Sequence, residues 1–249
     1  LRSLALAVLV LVGVLIALPV GLLGRIGRGG RIVRWWLRGV AFVLGLRIHV
    51  RGRVPGGPAL WCANHVSWLD VLVLGGLADV CFVSKAEVRR WPLVGWCAAA
   101  AGTLFLARGA GTASAMLDTV AHRLTHGRST AVFPEGTTST GRSVGRFHHR
   151  LFGAAIKAER PVQPVALRYL EAGAASRRAP FVGEDSLVPH LVDVLAGGTI
   201  EVEVTLLPLV SSRGHDRRSL ARAAQASVAS LIDSTPAAAD VEDILPAEA

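Results

Sequence analysis

The sequence predicts an α/β layer, a largely buried β-sheet flanked by helices, preceded by an N-terminal membrane-anchoring helical segment. Three observations carry this. Short β-type runs alternate with helical stretches between residues 47 and 233, the pattern of a sheet covered by helices. Apolar residues make up 51% of the 249 and charged residues 18%, which excludes a disordered chain and exceeds the apolar share of an ordinary soluble domain. Much of that excess lies at the front, where Leu4–Leu23 carries no charge.

Twenty helical residues span about 30 Å, the thickness of a hydrocarbon core. Gly13, Pro19 and Gly21 weaken this helix, so it either spans the bilayer or re-enters it. The run exceeds the h-region of a signal peptide and no A-x-A-like site follows, which favours an anchor over a cleaved signal. Arg25, Arg28, Arg31, Arg34 and Arg38 follow it, against Arg2 alone before it. By the positive-inside rule the rest of the chain is expected on the cytoplasmic side of the cell inner membrane. From Arg31 the arginines recur every three to four residues around Trp35 and Trp36. That spacing fits an interfacial helix, and equally an amphipathic helix packed on the domain. Residues 1–46 thus form the anchor and interfacial helix, 47–233 the folded domain, and 234–249 a flexible Pro-, Ala- and acid-rich tail.

Within the domain, strands are expected at 47–51, 59–63, 80–84, 103–107, 130–133, 161–169 and 200–208. The last alternates Ile200, Val202, Val204 and Leu206 with Glu201, Glu203 and Thr205. Helices are expected at 68–78, 91–101, 111–127, 148–159 and 187–196. A final helix begins near Asp216 as N-cap, with Leu220, Ala224, Val228 and Leu231 on one stripe.

The formal net charge of +9 favours an anionic partner. The chain holds a single Tyr and few Phe, and the Trp–Arg run at 31–38 is read as an interfacial or packing helix, so nucleic acid is not expected as a partner. Cys62, Cys81 and Cys97 lack CxxC spacing, which argues against a disulfide framework or a zinc site. His122 and His126, four apart on the expected helix, are read as solvated histidines, and no metal is expected.

The chemistry centres on Asn64-His65-Val66-Ser67-Trp68-Leu69-Asp70, between an apolar strand and an apolar helical run. Residues five apart on a regular helix point about 140° away from each other. For His65 and Asp70 to meet, His65 must lie in the turn and Asp70 in the first helical turn. Ser67-x-x-Asp70 reads as a capping box, which would account for Asp70 alone but leaves His65 unexplained. A carboxylate on one imidazole nitrogen fixes the tautomer and leaves the other as a base near neutral pH. The G-x-S-x-G run at Gly141–Gly145 lies well past the strand expected at 130–133 and so does not form the strand-to-helix elbow of a nucleophilic serine; a substrate hydroxyl is expected to attack directly. Cys62, on the strand, reads as a buried apolar residue rather than a nucleophile.

The His65–Asp70 segment resembles the H-x-x-x-x-D block of the glycerolipid acyltransferases of the 1-acylglycerol-3-phosphate type. Gly102-Thr103-Leu104-Phe105-Leu106-Ala107-Arg108 resembles that family's G-x-x-F-x-x-R block, and Phe133-Pro134-Glu135-Gly136-Thr137 its F-P-E-G-T block. Val162-Gln163-Pro164-Val165-Ala166 resembles a fourth, looser one. The resemblance implies a mixed sheet flanked by helices and an O-acyltransferase. In that reading His65 is the general base, oriented by Asp70, while Arg108, Glu135, Gly136 and Thr137 bind the substrate. No cofactor is implied. Acyl-CoA or acyl carrier protein is the co-substrate, and membrane lipids surround the site. The expected acceptor is 1-acyl-sn-glycerol-3-phosphate, giving phosphatidic acid. Thr138 departs from the arginine that follows E-G-T in many phosphatidate-forming members, and Glu-Gly-Thr-Thr also resembles the lyso-ornithine lipid acyltransferases. Lyso-ornithine lipid or another lysolipid is therefore the alternative acceptor. A hydrolase would share the dyad, and a non-catalytic lipid binder would need only the basic membrane face.

Overall fold

The computed structural model of the chain describes residues 2–22, 30–91, 95, 98–99, 102–106 and 112–234. Arg25, Arg28, Cys97, Arg108 and the tail after Ser234 lie outside the described residues.

Helices α1 (Arg2–Leu22) and α2 (Gly30–Val43) precede the domain. Strands β1 (Leu46–Arg51) and β2 (Leu60–Ala63) follow, then α3 (Leu69–Leu77) and β3 (Val80–Lys85). A 3-10 turn at Ala86–Arg90 leads toward β4 (Leu104–Leu106). Next come α4 (Thr112–Thr125), β5 (Ser129–Val132), α5 (Phe152–Lys157) and β6 (Val162–Glu171). The chain continues through β7 (Ala174–Ala175), α6 (Leu187–Ala196), β8 (Ile200–Leu206) and α7 (Arg217–Ile232).

The strands form one mixed sheet in the order β1-β8-β6-β2-β5-β3-β4, with β7 paired to β6. β2, β3, β4, β5 and β6 run parallel, and β8 returns antiparallel to β6 with β1 parallel beside it. All four β2 residues are buried, because helices cover both faces. The pleat divides them. Trp61 and Ala63 face a core built with α2, α3 and α6, whereas Leu60 and Cys62 face one built with α4, α5 and α7.

Local chemistry accounts for the element ends. Asp216 caps α7 through a reciprocal box with Ser219, whose backbone N–H it accepts at 2.6 Å. The helix expected over 148–159 shortens to Phe152–Lys157: His148 N–H bonds the Pro134 carbonyl at 2.8 Å, and Phe152, Gly153 and Ala154 N–H bond the carbonyls three residues back, a turn that precedes the α-helix proper. The capping box expected at Ser67 forms only by half. Asp70 Oδ2 accepts Ser67 N–H at 3.1 Å, but the buried Ser67 hydroxyl makes no return bond and α3 begins at Leu69.

Two glycines seat α2 on α3. A Cβ at Gly75 would lie 2.6 Å from Leu37 Cδ1, and one at Gly76 would lie 3.1 Å from Arg38 Cγ. Arg38 Nε also donates to the Gly76 carbonyl at 2.6 Å. α1 lies against α2, with Trp36 Nε1 donating to the Leu9 carbonyl at 2.7 Å and its indole resting where Gly13 has no side chain. Among the described residues no helix is long and apolar enough to cross a membrane.

Candidate active site

β2 ends at Ala63, and the next seven residues carry the chain from the sheet into the first turn of α3. Asn64 governs how it leaves. Its buried amide accepts Leu167 N–H at 2.8 Å and donates to Leu167 carbonyl at 2.9 Å, replacing the two bonds a further strand residue would make to β6. The backbone is thereby free to turn while the sheet remains satisfied.

His65 and Asp70 meet in the geometry the spacing requires. His65 Nδ1 lies 2.7 Å from Asp70 Oδ2. Asp70 is fully buried and the His65 side chain is 20% exposed, so the imidazole is the member that reaches solvent. Asp70 Oδ2 also accepts Val66 N–H at 2.8 Å, and Oδ1 accepts the Tyr169 hydroxyl at 2.6 Å. With the bond from Ser67, four donors fix this carboxylate, which keeps a buried charge tolerable. Nδ1–H of His65 is thus spoken for, and Nε2 has no hydrogen-bond partner among the described residues. The ring stacks on Phe133, centroids 3.9 Å apart and planes 11° from parallel.

Glu135 sits beneath this pair. Oε1 accepts His65 N–H at 2.9 Å and Oε2 accepts Gly145 N–H at 3.0 Å. Burial raises its carboxyl above the ordinary range, and the two N–H bonds and His65 partly offset the effect. Glu135 therefore ties the F-P-E-G-T loop to the histidine's own backbone. Gly136 holds φ +74°, a conformation costly for other residues, and a Cβ there would meet the His148 ring at 3.3 Å. Its N–H is used by the Phe133 carbonyl at 3.1 Å, so it is not available to an oxyanion. Thr137 is exposed beside it. Thr138 turns its hydroxyl inward to the Phe181 carbonyl, while Phe181 N–H bonds Val66 carbonyl at 3.0 Å. Ser139 N–H bonds the His65 carbonyl at 2.8 Å. His65 is consequently held at its ring, its N–H and its C=O.

In the sequence Asn64 stands in the motif without a role, and neither Tyr169 nor His190 is singled out. Asn64, one residue past β2, bonds Leu167 of β6, Tyr169 of β6 bonds Asp70, and His190 of α6 accepts from Trp68 Nε1 at 3.1 Å while bonding the Pro180 carbonyl at 3.0 Å. One signal for Tyr169 was present: it is the sequence's single tyrosine, on the strand face shared by Val165 and Leu167. Cys62 lies in the core on the other side of the sheet, with its thiol pushed up by burial, which leaves it no nucleophilic role. His122 and His126 contact each other on α4, and among the described residues no third His, Cys, Asp or Glu joins them.

Residues 46–168 match the family model described as Acyltransferase. The chain is 46% identical over 198 residues to a lyso-ornithine lipid O-acyltransferase of Pseudomonas aeruginosa, covering 80% of this chain and 77% of that protein. It is 28% identical to a 1-acyl-sn-glycerol-3-phosphate acyltransferase of Neisseria meningitidis, covering 78% of each. Among solved structures, the 1-acyl-sn-glycerophosphate (LPA) acyltransferase PlsC of Thermotoga maritima shares the fold, with a TM-score of 0.62 at 20% identity over 94% of this chain and 97% of that one. The chain belongs to the glycerolipid acyltransferase family. It is an O-acyltransferase.

Proposed function

We propose that this O-acyltransferase acylates the free hydroxyl of lyso-ornithine lipid, with His65 as general base and Asp70 as its orienting partner. The observation that carries the mechanism is the 2.7 Å contact between a fully buried carboxylate and Nδ1 of an imidazole whose side chain is 20% exposed. Nε2 takes the proton of the acceptor hydroxyl as its oxygen bonds to the carbonyl carbon of an acyl thioester. The C–S bond then breaks, and the imidazolium returns the proton to the departing thiolate of coenzyme A or acyl carrier protein. Asp70 stabilises the imidazolium between the two steps. Glu135 positions His65 through its backbone, and Gly136, Thr137 and Arg108 are assigned to the acceptor. No bound cofactor takes part in these steps.

Two features favour this acceptor over 1-acyl-sn-glycerol-3-phosphate, the first expectation from the sequence. The relative named for lyso-ornithine lipid is 46% identical to this chain, against 28% for the one named for the phosphate. Thr138 also spends its hydroxyl on the Phe181 carbonyl, so the position filled by arginine in many phosphatidate-forming members offers the headgroup no cation. An ornithine headgroup carries an ammonium beside its carboxylate and needs less positive charge than a phosphate dianion. Purified protein offered lyso-ornithine lipid, lysophosphatidic acid and lysophosphatidylcholine, each with acyl-CoA and with acyl carrier protein, is expected to favour the first by at least ~10-fold in kcat/KM. Equal or faster turnover of lysophosphatidic acid would refute this acceptor.

The enzyme sits on the inner-membrane surface, facing the cytoplasm, in this reading. Leu4, Val8 and Leu11 of α1 and Ile32, Trp35 and Phe42 of α2 are exposed, with Arg31 and Arg34 alongside. Apolar side chains flanked by arginines suit the headgroup region of anionic lipid. Co-sedimentation with anionic vesicles is expected to fall at least ~10-fold when Trp35 and Phe42 are both changed to serine. Undiminished binding would remove this face from the proposal.

A further inference from the structure

The geometry points to Tyr169 as a positioning residue that sets the basicity and orientation of His65 through Asp70. This rests on the reading of His65 and Asp70 as base and partner, and adds a third member at the end opposite the substrate. Tyr169 is on β6, two residues beyond Leu167, to which Asn64 stitches the catalytic turn. The strand's alternation directs its ring into the core beneath α3, where it is 5% exposed. Its hydroxyl donates to Asp70 Oδ1 at 2.6 Å, while Oδ2 of the same carboxylate receives His65 Nδ1. A line of hydrogen bonds therefore runs from the sheet to the imidazole: phenol, carboxylate, ring.

The ends of that line differ. His65 faces outward and reaches an acceptor, whereas Tyr169 is sealed in the core and touches none. Its influence must pass through Asp70. The phenol draws negative charge toward Oδ1, which tempers the pull of Oδ2 on the imidazolium, and it stops the carboxylate rotating about its Cβ–Cγ bond. Burial, and then the Asp70 charge, raise the phenol's own ionisation well above its ordinary value, so it remains a donor throughout the working pH range. Other titratable groups facing the pair from packed elements are Glu135 and His148 around the F-P-E-G-T loop and His190 of α6 across Trp68. None of these bonds Asp70 among the described residues.

The test compares Tyr169→Phe and His65→Ala with the unaltered protein, measuring kcat and KM for lysolipid and thioester across about pH 5–9, the range in which an imidazole titrates. Phenylalanine keeps the ring and removes only the hydroxyl. The expected result is a kcat lower by roughly 10- to 100-fold, the scale on which misplacing a reacting group acts, with both KM values within about threefold. The acid limb of the profile should also move up by ~0.5 unit or more, because an Asp70 relieved of the phenol holds the imidazolium more tightly. A fixed inactive fraction scales the curve without displacing its midpoint, and assay at neutral pH after incubation at each acid pH excludes acid unfolding as the source of a shift. If His65→Ala is inactive while Tyr169→Phe keeps the unaltered kcat and acid limb, Tyr169 is only a core residue and the proposal fails alone. A Tyr169→Phe loss confined to folding yield, with the limb in place, overturns it equally. Activity retained in His65→Ala would instead bring down the dyad reading itself.

Discussion

Changing His65 to alanine is expected to lower acyl transfer by at least ~10²-fold and by as much as ~10⁴-fold, the range for a positioned acid–base group. The chemistry asks one residue to do two things: take the hydroxyl proton as the C–O bond forms and deliver it as the C–S bond breaks. Without the imidazole, an alcohol whose proton is held far above neutral pH must attack unaided. The ring is also anchored by its stack on Phe133 and by backbone bonds to Glu135 and Ser139, none of which depends on its basicity. The alanine variant keeps those backbone bonds but loses the stack and one of the four bonds to Asp70, so a folded protein with a somewhat lower melting temperature and its turnover gone is expected. Steady-state release of thiol from the thioester in the presence of lysolipid measures it. Turnover within about threefold of the unaltered enzyme would be irreconcilable with general-base catalysis at this residue.

The second large effect is expected at Asp70, where an asparagine should harm both catalysis and stability. The carboxylate accepts four hydrogen bonds: from His65, Val66, Ser67 and Tyr169. An amide of the same shape offers one oxygen and must turn its NH2 toward at least one of those donors. The imidazole then loses its tautomer control and the buried N–H or O–H groups lose an acceptor. Activity should fall by at least ~10²-fold. Stability should drop by roughly 3 kcal/mol, from unsatisfied buried donors. In a chain of this size that corresponds to a melting temperature lower by about 6–12 °C. Circular dichroism melts alongside the thiol assay separate the two losses. An Asp70→Asn protein that melts normally and turns over normally would show that the carboxylate neither orients nor supports the base.

What the sequence made legible follows from which interactions are local. The His65–Asp70 contact could be anticipated because five residues across a strand-to-helix turn leave few geometries that join them. The alternation in 200–206 likewise specifies β8, since a half-buried strand allows one face inward. Glu135 could be placed at the site but not understood, because its partners are two backbone N–H groups that have no signature in the side-chain alphabet. Tyr169 and Asn64 reach across ninety-nine and one hundred and three positions, and their pairing depends on β2 lying beside β6 in the sheet. A list of strands in chain order does not contain that neighbourhood.

The glycine pair in α3 has a mechanical consequence. Gly75 and Gly76 bring α2 nearly onto the backbone of the same nine-residue helix whose first turn holds Asp70. Such a helix is about 13 Å long. The exposed apolar ridge of α2 and the Asp70 end of α3, which holds the His65 ring, are consequently braced against each other. Under the proposed docking of α2 on lipid, steric contact at two residues lacking side chains would set the depth of His65, and a methyl group added to either would reset that depth.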